Sequence, residues 1–174
     1  DRAVYSFDYG PVHIAVVTSE LQAEEDWPVM MDWLRRDMNA SDATWKVLMV
    51  HRPPYNGNAA SGNGRSLAYI PPVVDETGID LVLSGHDHMY SRSLPLSGGK
   101  PTPGGATYLI AGSDSAKYYD NNGGGIALVA DVLFDDNVNT YTTLDIQGDD
   151  LHVLTRTLDG TVVDDVTLQP RTDR

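Results

Sequence analysis

The chain has 174 residues, of which 41% are hydrophobic and 21% are charged, a composition typical of one folded domain or of part of a larger one. Its 25 acidic and 12 basic residues give a net charge of −13, which argues against a binding surface for nucleic acid or anionic membrane, because both require basic patches. The absence of cysteine excludes disulfides and thiolate metal ligands, and the longest apolar runs fall well short of a membrane span.

The sequence up to residue 88 alternates between strand-like and helix-like patterns. The first predicted helix opens with acidic residues and has Val29, Trp33 and Leu34 on one face, whereas Pro71 and Pro72 weaken or start the second. Alternating strands and helices are typical of an α/β layered domain. In chain order the predicted elements are strands at 4–9 and 12–18, a helix at 23–38, a strand at 46–50, a helix at 67–77 and a strand at 79–83.

After residue 88 the pattern changes to β-branched and aromatic runs that are separated by short turn-like segments. This pattern predicts an antiparallel meander without helices. No internal repeat or linker divides the chain, so residues 1–174 are predicted to be a single unit. The predicted strands of this part lie at 90–96, 106–111, 126–134, 139–146, 151–157 and 161–168.

Three histidines follow buried strands: His51 comes after the strand at 46–50, and His86 and His88 come after the strand at 79–83. Side chains at the carboxyl ends of neighbouring strands converge, so we expect these rings to lie close together. Neutral imidazole is a good ligand for Zn, Fe, Mn, Ni or Cu, and the His-x-His spacing favours a metal site over a hydrogen bond in a loop or helix cap. Three histidines alone cannot hold two cations, for which bridging carboxylates are needed.

The other two histidines are predicted to be structural. His13 lies in the apolar run PVHIAVV and is expected to be a packed or hydrogen-bonded core residue. His152 lies on a late strand and is expected to be structural or exposed. Although Asp150-Leu151-His152 spells the Asp-x-His of some metal sites, no further suitable ligand follows it.

The sequence VLMVH, which ends in His51, and the sequence SGHDH, which contains His86 and His88, resemble the last two motifs of the calcineurin-like metallophosphoesterases. The segments YSFDYGPVHIAVVTSE, HRPPYNGN and HDHMYSRSLPL are similar to the purple acid phosphatase branch and occur in the same order. The resemblance covers residues 4–112 and implies a mixed α/β fold, a layered β-sandwich flanked by helices. Residues 113–174 would be its closing antiparallel strands.

The resemblance also implies roles for individual residues. His51 and His86 would share one metal ion and His88 would bind a second, the two ions being Fe, Zn or Mn. The loop at 52–66, rich in Pro, Gly and Asn, lies where the family places substrate contacts, and long loops of this kind are often functional. The implied substrate contacts are Arg52, Tyr55 and Asn56 in this loop, and Tyr90 and Arg92 at the mouth of the site.

The family's earlier motifs, which supply the terminal and bridging aspartates and an Asn-His pair, are absent from this sequence. Asp8-Tyr9-Gly10 spells Asp-x-Gly, but it lies in a context that follows those motifs in the family. The chain therefore resembles the C-terminal half of the catalytic domain. The missing carboxylates would belong to an N-terminal half that is a separate chain or was omitted, and the incomplete sheet would have an unpaired edge.

The implied function is hydrolysis of small phosphate esters, in which a metal-bound hydroxide attacks phosphorus while two cations neutralise the phosphoryl oxygens. Without the N-terminal half the chain is expected to be inactive. Monoesters, diesters and nucleotides stay open as substrates, and the alternative is a non-enzymatic, acidic, β-rich binding or scaffolding domain with incidental histidines. The start of the chain, without Met or a signal-peptide pattern, predicts a mature secreted protein, an excised domain or a cleaved fragment, and the resemblance favours secretion or the cell envelope.

Overall fold

The computed structural model describes residues 4–114 and 116–172. Within these residues the chain forms a seven-stranded sheet, a three-stranded sheet, a two-stranded ribbon, two α-helices and one 3-10 helix at Gly125–Leu128. The strands are β1 (Tyr5–Tyr9), β2 (Val12–Val17), β3 (Trp45–Val50), β4 (Leu81–Ser84), β5 (Tyr90–Ser93), β6 (Leu96–Ser97), β7 (Lys100–Pro101), β8 (Thr107–Ala111), β9 (Ala130–Phe134), β10 (Thr140–Gln147), β11 (Asp150–Thr157) and β12 (Val162–Leu168), and the helices are α1 (Asp26–Ala40) and α2 (Gly64–Thr77).

The seven-stranded sheet has the order β1-β2-β3-β4-β8-β5-β9. Its centre is parallel, since β2, β3, β4 and β8 run in one direction, while β1 and β5 are antiparallel to their neighbours. In the register of β3 and β4, Val50 lies opposite Ser84. The backbone therefore leaves both strands at the same edge of the sheet, where the Gly85 amide donates to the His51 carbonyl over 3.1 Å.

Helix α1 packs on the main sheet through a face that differs from the predicted one. Its buried residues are Trp27, Met30, Met31, Leu34 and Met38. Leu34 was correctly predicted, but Val29 is 68% exposed and Trp33 is only partly buried. Each residue turns a helix by about 100°, so a helix that points Trp27 at the sheet turns Val29 away from it.

Helix α2 begins at Gly64, three residues before the predicted start, and continues through both prolines. The prolines neither start nor end it, because Ile70, Pro71 and their neighbours are buried in the core and this packing offsets the missing backbone hydrogen bonds. The helix ends at Gly78, whose φ of 67° is the left-handed conformation that favours glycine at this position.

The predicted antiparallel meander holds for β10, β11 and β12, which form the three-stranded sheet. It does not hold earlier, because β8 pairs parallel to β4 and β9 joins the main sheet beside β5. The predicted strand at 126–134 is also shorter. Its first residues form the 3-10 helix, since the amide of Ile126 donates to the carbonyl of Asn56 and not to a strand.

Two buried cores hold these layers together. The larger lies between the main sheet and the helices, where Leu48, Ile70 and Val82 are fully buried. The smaller lies between the main sheet and the three-stranded sheet, and includes Leu109 and Val153. The mixed α/β fold with terminal antiparallel hairpins agrees with the predicted fold class. In the described part of the chain, no helix has the length and apolar character needed to cross a membrane.

Candidate metal site

His51 and His86 meet at the edge of the main sheet where β3 and β4 end. Their rings are nearly perpendicular, with an interplanar angle of 83° and centroids 5.0 Å apart. The Nε2 atom of His51 and the Nδ1 atom of His86 are separated by 3.2 Å. The predicted convergence of strand ends is therefore observed for these two residues.

This separation fits two ligands of one metal ion. Nitrogen ligands bind zinc at about 2.0–2.1 Å, and two of them at an angle of roughly 100° lie about 3.2 Å apart. Burial, with the positive charge of Arg52 beside the ring, lowers the pKa of His86, which favours the neutral imidazole that metals require. Across residues 4–114 and 116–172, however, no group of three or more His, Asp or Glu side chains is arranged to hold a metal ion.

His88 makes a separate set of contacts with the segment after β8. Its Nδ1 atom lies 2.8 Å from the carbonyl oxygen of Lys117, and its ring meets the ring of Tyr119 at 5.3 Å. A carbonyl oxygen can only accept, so the ring proton lies on Nδ1 and the lone pair lies on Nε2. Backbone carbonyls fix metal-binding histidines in this manner in many proteins.

The turn that contains these histidines has an unusual backbone. His86 has a φ of 68° and His88 a φ of 50°, both in the left-handed region. This conformation costs a residue with a side chain about 1–2 kcal/mol, and such strain concentrates at functional sites.

Asp87, between the two histidines, is fully buried and fixes the turn to the preceding loop. Its Oδ2 atom accepts from the amide of Gly57 over 2.5 Å and from the amide of Asn58 over 3.3 Å. Sequence reasoning missed this residue, although its position inside His-Asp-His was a usable signal. The turn and the loop therefore form one structural unit.

Of the five residues implied as substrate contacts, Arg52 lies beside the histidine pair. Its Nη1 atom is 3.1 Å from Nε2 of His86, and its Nε atom donates to Glu20 over 2.8 Å. The guanidinium is partly exposed, so it is accessible from the loop side of the site.

Tyr55 and Asn56 are buried inside the same loop. The ring of Tyr55 packs edge-on against Tyr108, with centroids 4.8 Å apart. The side chain of Asn56 donates to the carbonyl of Asn58 over 2.6 Å and accepts from the amide of Gly125 over 3.2 Å. Both residues hold the loop together, and their polar groups do not reach the histidines in this structure.

Tyr90 and Arg92 also lie away from the mouth of the site. They are 1% and 6% exposed, and both donate to Asp164 in the three-stranded sheet over 2.6 Å. Burial, together with the hydrogen bond to Asp164, raises the pKa of Tyr90 far above its ordinary value. Their alternation on β5 turns both side chains to the buried inter-sheet core, which the motif alone did not reveal.

The remaining histidines are placed as predicted. His13 is buried and lies between two carboxylates, 2.7 Å from Asp8 and 2.9 Å from Asp37. His152 is exposed and pairs with Asp165 over 2.7 Å.

The family model described as Calcineurin-like phosphoesterase matches residues 5–90, a range that includes all three candidate ligands. Purple acid phosphatase 22 of Arabidopsis thaliana is 31% identical over an alignment of 115 residues that covers 62% of this chain and 26% of that protein. Purple acid phosphatase 18 of the same plant is 28% identical over 113 residues, with the same coverage. An acid phosphatase of Aspergillus ficuum is 29% identical over 107 residues, covering 60% of this chain and 16% of that protein. The chain thus spans about a quarter or less of these relatives.

Two solved structures share the fold. Purple acid phosphatase PPD1 from yellow lupin (Lupinus luteus) seeds superposes with a TM-score of 0.71 at 17% identity, covering 97% of this chain and 33% of that one. GAP50, described as the anchor in the inner membrane complex of Plasmodium, has the same TM-score at 12% identity, covering 98% of this chain and 54% of that one. In its motifs, in the matched family model and in its fold, the chain is similar to the calcineurin-like phosphoesterases, and the relatives that it matches are purple acid phosphatases and acid phosphatases.

Proposed function

We propose that this chain is the part of a dinuclear-metal phosphoesterase that supplies the histidine ligands of the two metal ions. The observation that carries the proposal is the 3.2 Å separation of Nε2 of His51 and Nδ1 of His86 at the ends of adjacent parallel strands. These two nitrogens would bind one ion, and Nε2 of His88 would bind the other. Relatives named as acid phosphatases and purple acid phosphatases support the same reaction class.

The two ions would be Fe, Zn or Mn, all of which accept imidazole nitrogen. When bound, such a pair supplies positive charge for the phosphoryl oxygens and activates the attacking water. This chain's own residues would hold the ions and orient the substrate. Because the net charge is −13, a small phosphorylated substrate needs local positive charge, and Arg52 beside His86 is suited to provide part of it.

The carboxylate ligands would come from a segment of the same protein outside these 174 residues, so that residues 1–174 act as one unit of a larger catalytic domain. An apolar cleft of about 590 Å³ supports this proposal, because residues of the main sheet and of β10 line it together with His51. Met49 and Leu144 line it and are 41% and 40% exposed. Beside it, β1 exposes Tyr5 and Phe7 on an edge strand. Contiguous exposed apolar surface of this kind marks an interaction site.

The non-enzymatic scaffolding alternative is not favoured. The three histidines lie in the sequences VLMVH and SGHDH, which resemble motifs of the family, and the ligand-like spacing of His51 and His86 supports a metal site over incidental histidines. For location, we propose secretion or the cell envelope, on the resemblance to purple acid phosphatases.

The test compares the 174-residue chain with the complete product of the reading frame that encodes it. Metal content and hydrolysis of p-nitrophenyl phosphate are measured for wild type, His51→Gln, His86→Gln and His88→Gln. His152→Gln is the matched control, because it removes an exposed imidazole that pairs with one aspartate.

In the complete product we expect about two ions per chain, and loss of at least one ion and of nearly all activity in each of the three variants. The control should retain both. If the His51→Gln and His86→Gln variants keep full activity and metal content, the proposal is refuted.

A further inference from the structure

A cavity of about 450 Å³ lies at the start of helix α2, beside the candidate metal site. Ser19 lines both this cavity and the apolar cleft that contains His51. Its Oγ atom accepts from the backbone amide of Arg52 over 3.1 Å, and Arg52 directly follows His51 and also lines the cavity. The cavity and the proposed metal site are therefore neighbours at one edge of the main sheet.

The first turn of α2 presents three backbone amides, those of Gly64, Arg65 and Ser66, that have no acceptor in the described part of the chain. All three residues line the cavity. The next amide, that of Leu67, donates to the carbonyl of Asn63 over 2.9 Å, but the side chain of Asn63 makes no capping hydrogen bond. Free amides at a helix N-terminus, together with the helix dipole, favour an anion.

Ser66 gives a second indication of a ligand, which does not depend on the helix end. It is only 2% exposed, yet its hydroxyl makes no hydrogen bond within residues 4–114 and 116–172. Polar groups on largely buried side chains are nearly always paired, because an unpaired one costs free energy. Since Ser66 lines the cavity, an acceptor bound there would be the partner of this hydroxyl.

Arg52 and Arg65 add guanidinium donors to the lining of the cavity. Arg65 donates from Nη1 to the carbonyls of Leu21 and Gln22 over 2.9 and 3.1 Å. Arg52 donates from Nε to Glu20 over 2.8 Å. Among the described residues, neither Nη2 atom has a hydrogen-bond acceptor. Guanidinium groups that are fixed in this way are suited to phosphate oxygens.

Two carboxylates balance the charge of these arginines. Glu20 pairs with Arg52, and Glu24 pairs with Arg65 at 2.8 Å, so net charge alone does not attract an anion. The lining instead offers an excess of hydrogen-bond donors, namely backbone amides, a hydroxyl and two guanidinium groups. A phosphoryl group has three acceptor oxygens and can use such a set, whereas a cation cannot.

We propose that this cavity is a subsite for a second phosphoryl group of the substrate, so that the preferred substrate class is an ester of diphosphate. The proposal rests on the proposed function, since the first, reacting phosphoryl group would lie at the metal site. Water adds its oxygen to the terminal phosphorus, and the bond from this phosphorus to the bridging oxygen breaks. The bridging oxygen keeps the electron pair, and the products are inorganic phosphate, a phosphate monoester and one released proton.

The first test compares hydrolysis of adenosine diphosphate and of p-nitrophenyl phosphate by the complete product. Each variant is referred to the wild type on the same substrate, so differences between the leaving groups cancel. For adenosine diphosphate we expect kcat/KM to fall about tenfold in Arg65→Met and about threefold in Ser66→Ala, mainly through KM. For p-nitrophenyl phosphate, which has one phosphoryl group, we expect no change in either variant.

Arg35→Met is the matched control for Arg65→Met. Arg35 is a partly exposed arginine on α1 that donates to Glu76 over 2.7 Å, and it is not among the residues that line the cavity. Its substitution removes the same charge and should leave hydrolysis of both substrates unchanged. Thermal unfolding of all three variants shows whether each has kept its fold.

The second test is a calorimetric titration of the metal-free complete product with inorganic phosphate, which measures the subsite without the metal ions. We expect binding that Arg65→Met weakens about tenfold and Arg35→Met leaves unchanged. If phosphate does not bind, or if Arg65→Met does not weaken its binding, the subsite is refuted.

If Arg65→Met weakens phosphate binding but changes hydrolysis of both substrates equally, the cavity is a site for free phosphate, and the subsite for the substrate is refuted. If the wild type hydrolyses neither substrate, the proposed function fails. In that case the phosphate titration alone decides whether the cavity binds a phosphoryl group.

Discussion

Arg92 and Asp164 form a bidentate ion pair, with Nε of Arg92 2.6 Å from Oδ2 of Asp164 and Nη2 3.1 Å from Oδ1. The two residues are 72 positions apart and lie on β5 and β12, so the pair joins the main sheet to the three-stranded sheet. The hydroxyl of Tyr90 donates to the same carboxylate over 2.6 Å. A buried, hydrogen-bonded charge pair thus lies between the two sheets in addition to their apolar core.

Asp164→Asn should destabilise the protein by about 3–5 kcal/mol, because it leaves the buried guanidinium of Arg92 without its main partner. Urea unfolding at neutral pH measures the effect. Asp165→Asn is the control, since Asp165 pairs with the exposed His152 and should change stability by less than about 1 kcal/mol. Equal effects of the two substitutions would contradict the structural role of the pair.

The same pair predicts a loss of stability in acid. Burial raises the pKa of Asp164, but hydrogen bonds from Arg92 and Tyr90 outweigh it, so the pKa is lowered overall. A lowered folded-state pKa gives stability that is present above the ordinary carboxyl value and is lost as the pH falls through the lowered value. The acid-induced decrease in stability should therefore be smaller in Asp164→Asn than in the wild type.

His13 predicts the opposite dependence on pH. Burial lowers its pKa, but hydrogen bonds and charges from Asp8 and Asp37 outweigh burial, so the pKa is raised above 6.5. The stabilisation by protonated His13 is therefore complete below pH 6.5 and is lost as the pH rises through the raised value. His13→Gln should remove this decrease from the stability profile between weakly acidic and weakly alkaline pH, whereas His152→Gln should not. If the stability profile of His13→Gln matched that of the wild type, Asp8 and Asp37 would not stabilise a protonated His13.

Asp87 should hold the loop at residues 52–66 in its folded conformation against the histidine turn. Asp87→Ala leaves the amides of Gly57 and Asn58 without this acceptor, which costs about 1–3 kcal/mol for the buried Gly57 amide and less for the partly buried Asn58 amide. Asp87→Asn keeps one acceptor oxygen and should have a smaller effect. Hydrogen exchange at the two amides is the measurement, and equal protection in both variants would refute this role.

Gly124 should not tolerate a side chain. A Cβ atom there would meet the backbone oxygen of Asn56 and lie 2.6 Å from the carbonyl carbon of Gly57, and neither backbone atom can move aside alone. Gly124→Ala should displace the loop and reduce stability by about 1–3 kcal/mol. Gly64→Ala is the control, since nothing lies within 4 Å of that position and alanine favours the helix. Thermal unfolding compares the two, and a stable Gly124→Ala variant would contradict the close packing.

Local patterns in the sequence were sufficient for most strands and for the meeting of His51 with His86, because strand ends follow from hydrophobic runs and parallel neighbours share an edge. The pairing of β8 with β4, and of Arg92 with Asp164, depends on long-range packing that no local period encodes. The resemblance implies that Tyr55 contacts the substrate. In the structure, its aromatic ring packs in the core against the ring of Tyr108. Whether such a side chain is buried depends on how the sheet and helices pack, and the local sequence motif does not determine it.

The register of β3 against β4, in which Val50 lies opposite Ser84, has a consequence for the thermodynamics of metal binding at the proposed site. The two ligand-bearing backbones are fixed by the sheet, so the conformational entropy that a flexible loop would lose on binding has already been lost during folding. The proposed site should therefore lose metal affinity as the sheet loses stability, and a substitution that destabilises β4 far from the histidines should weaken metal binding.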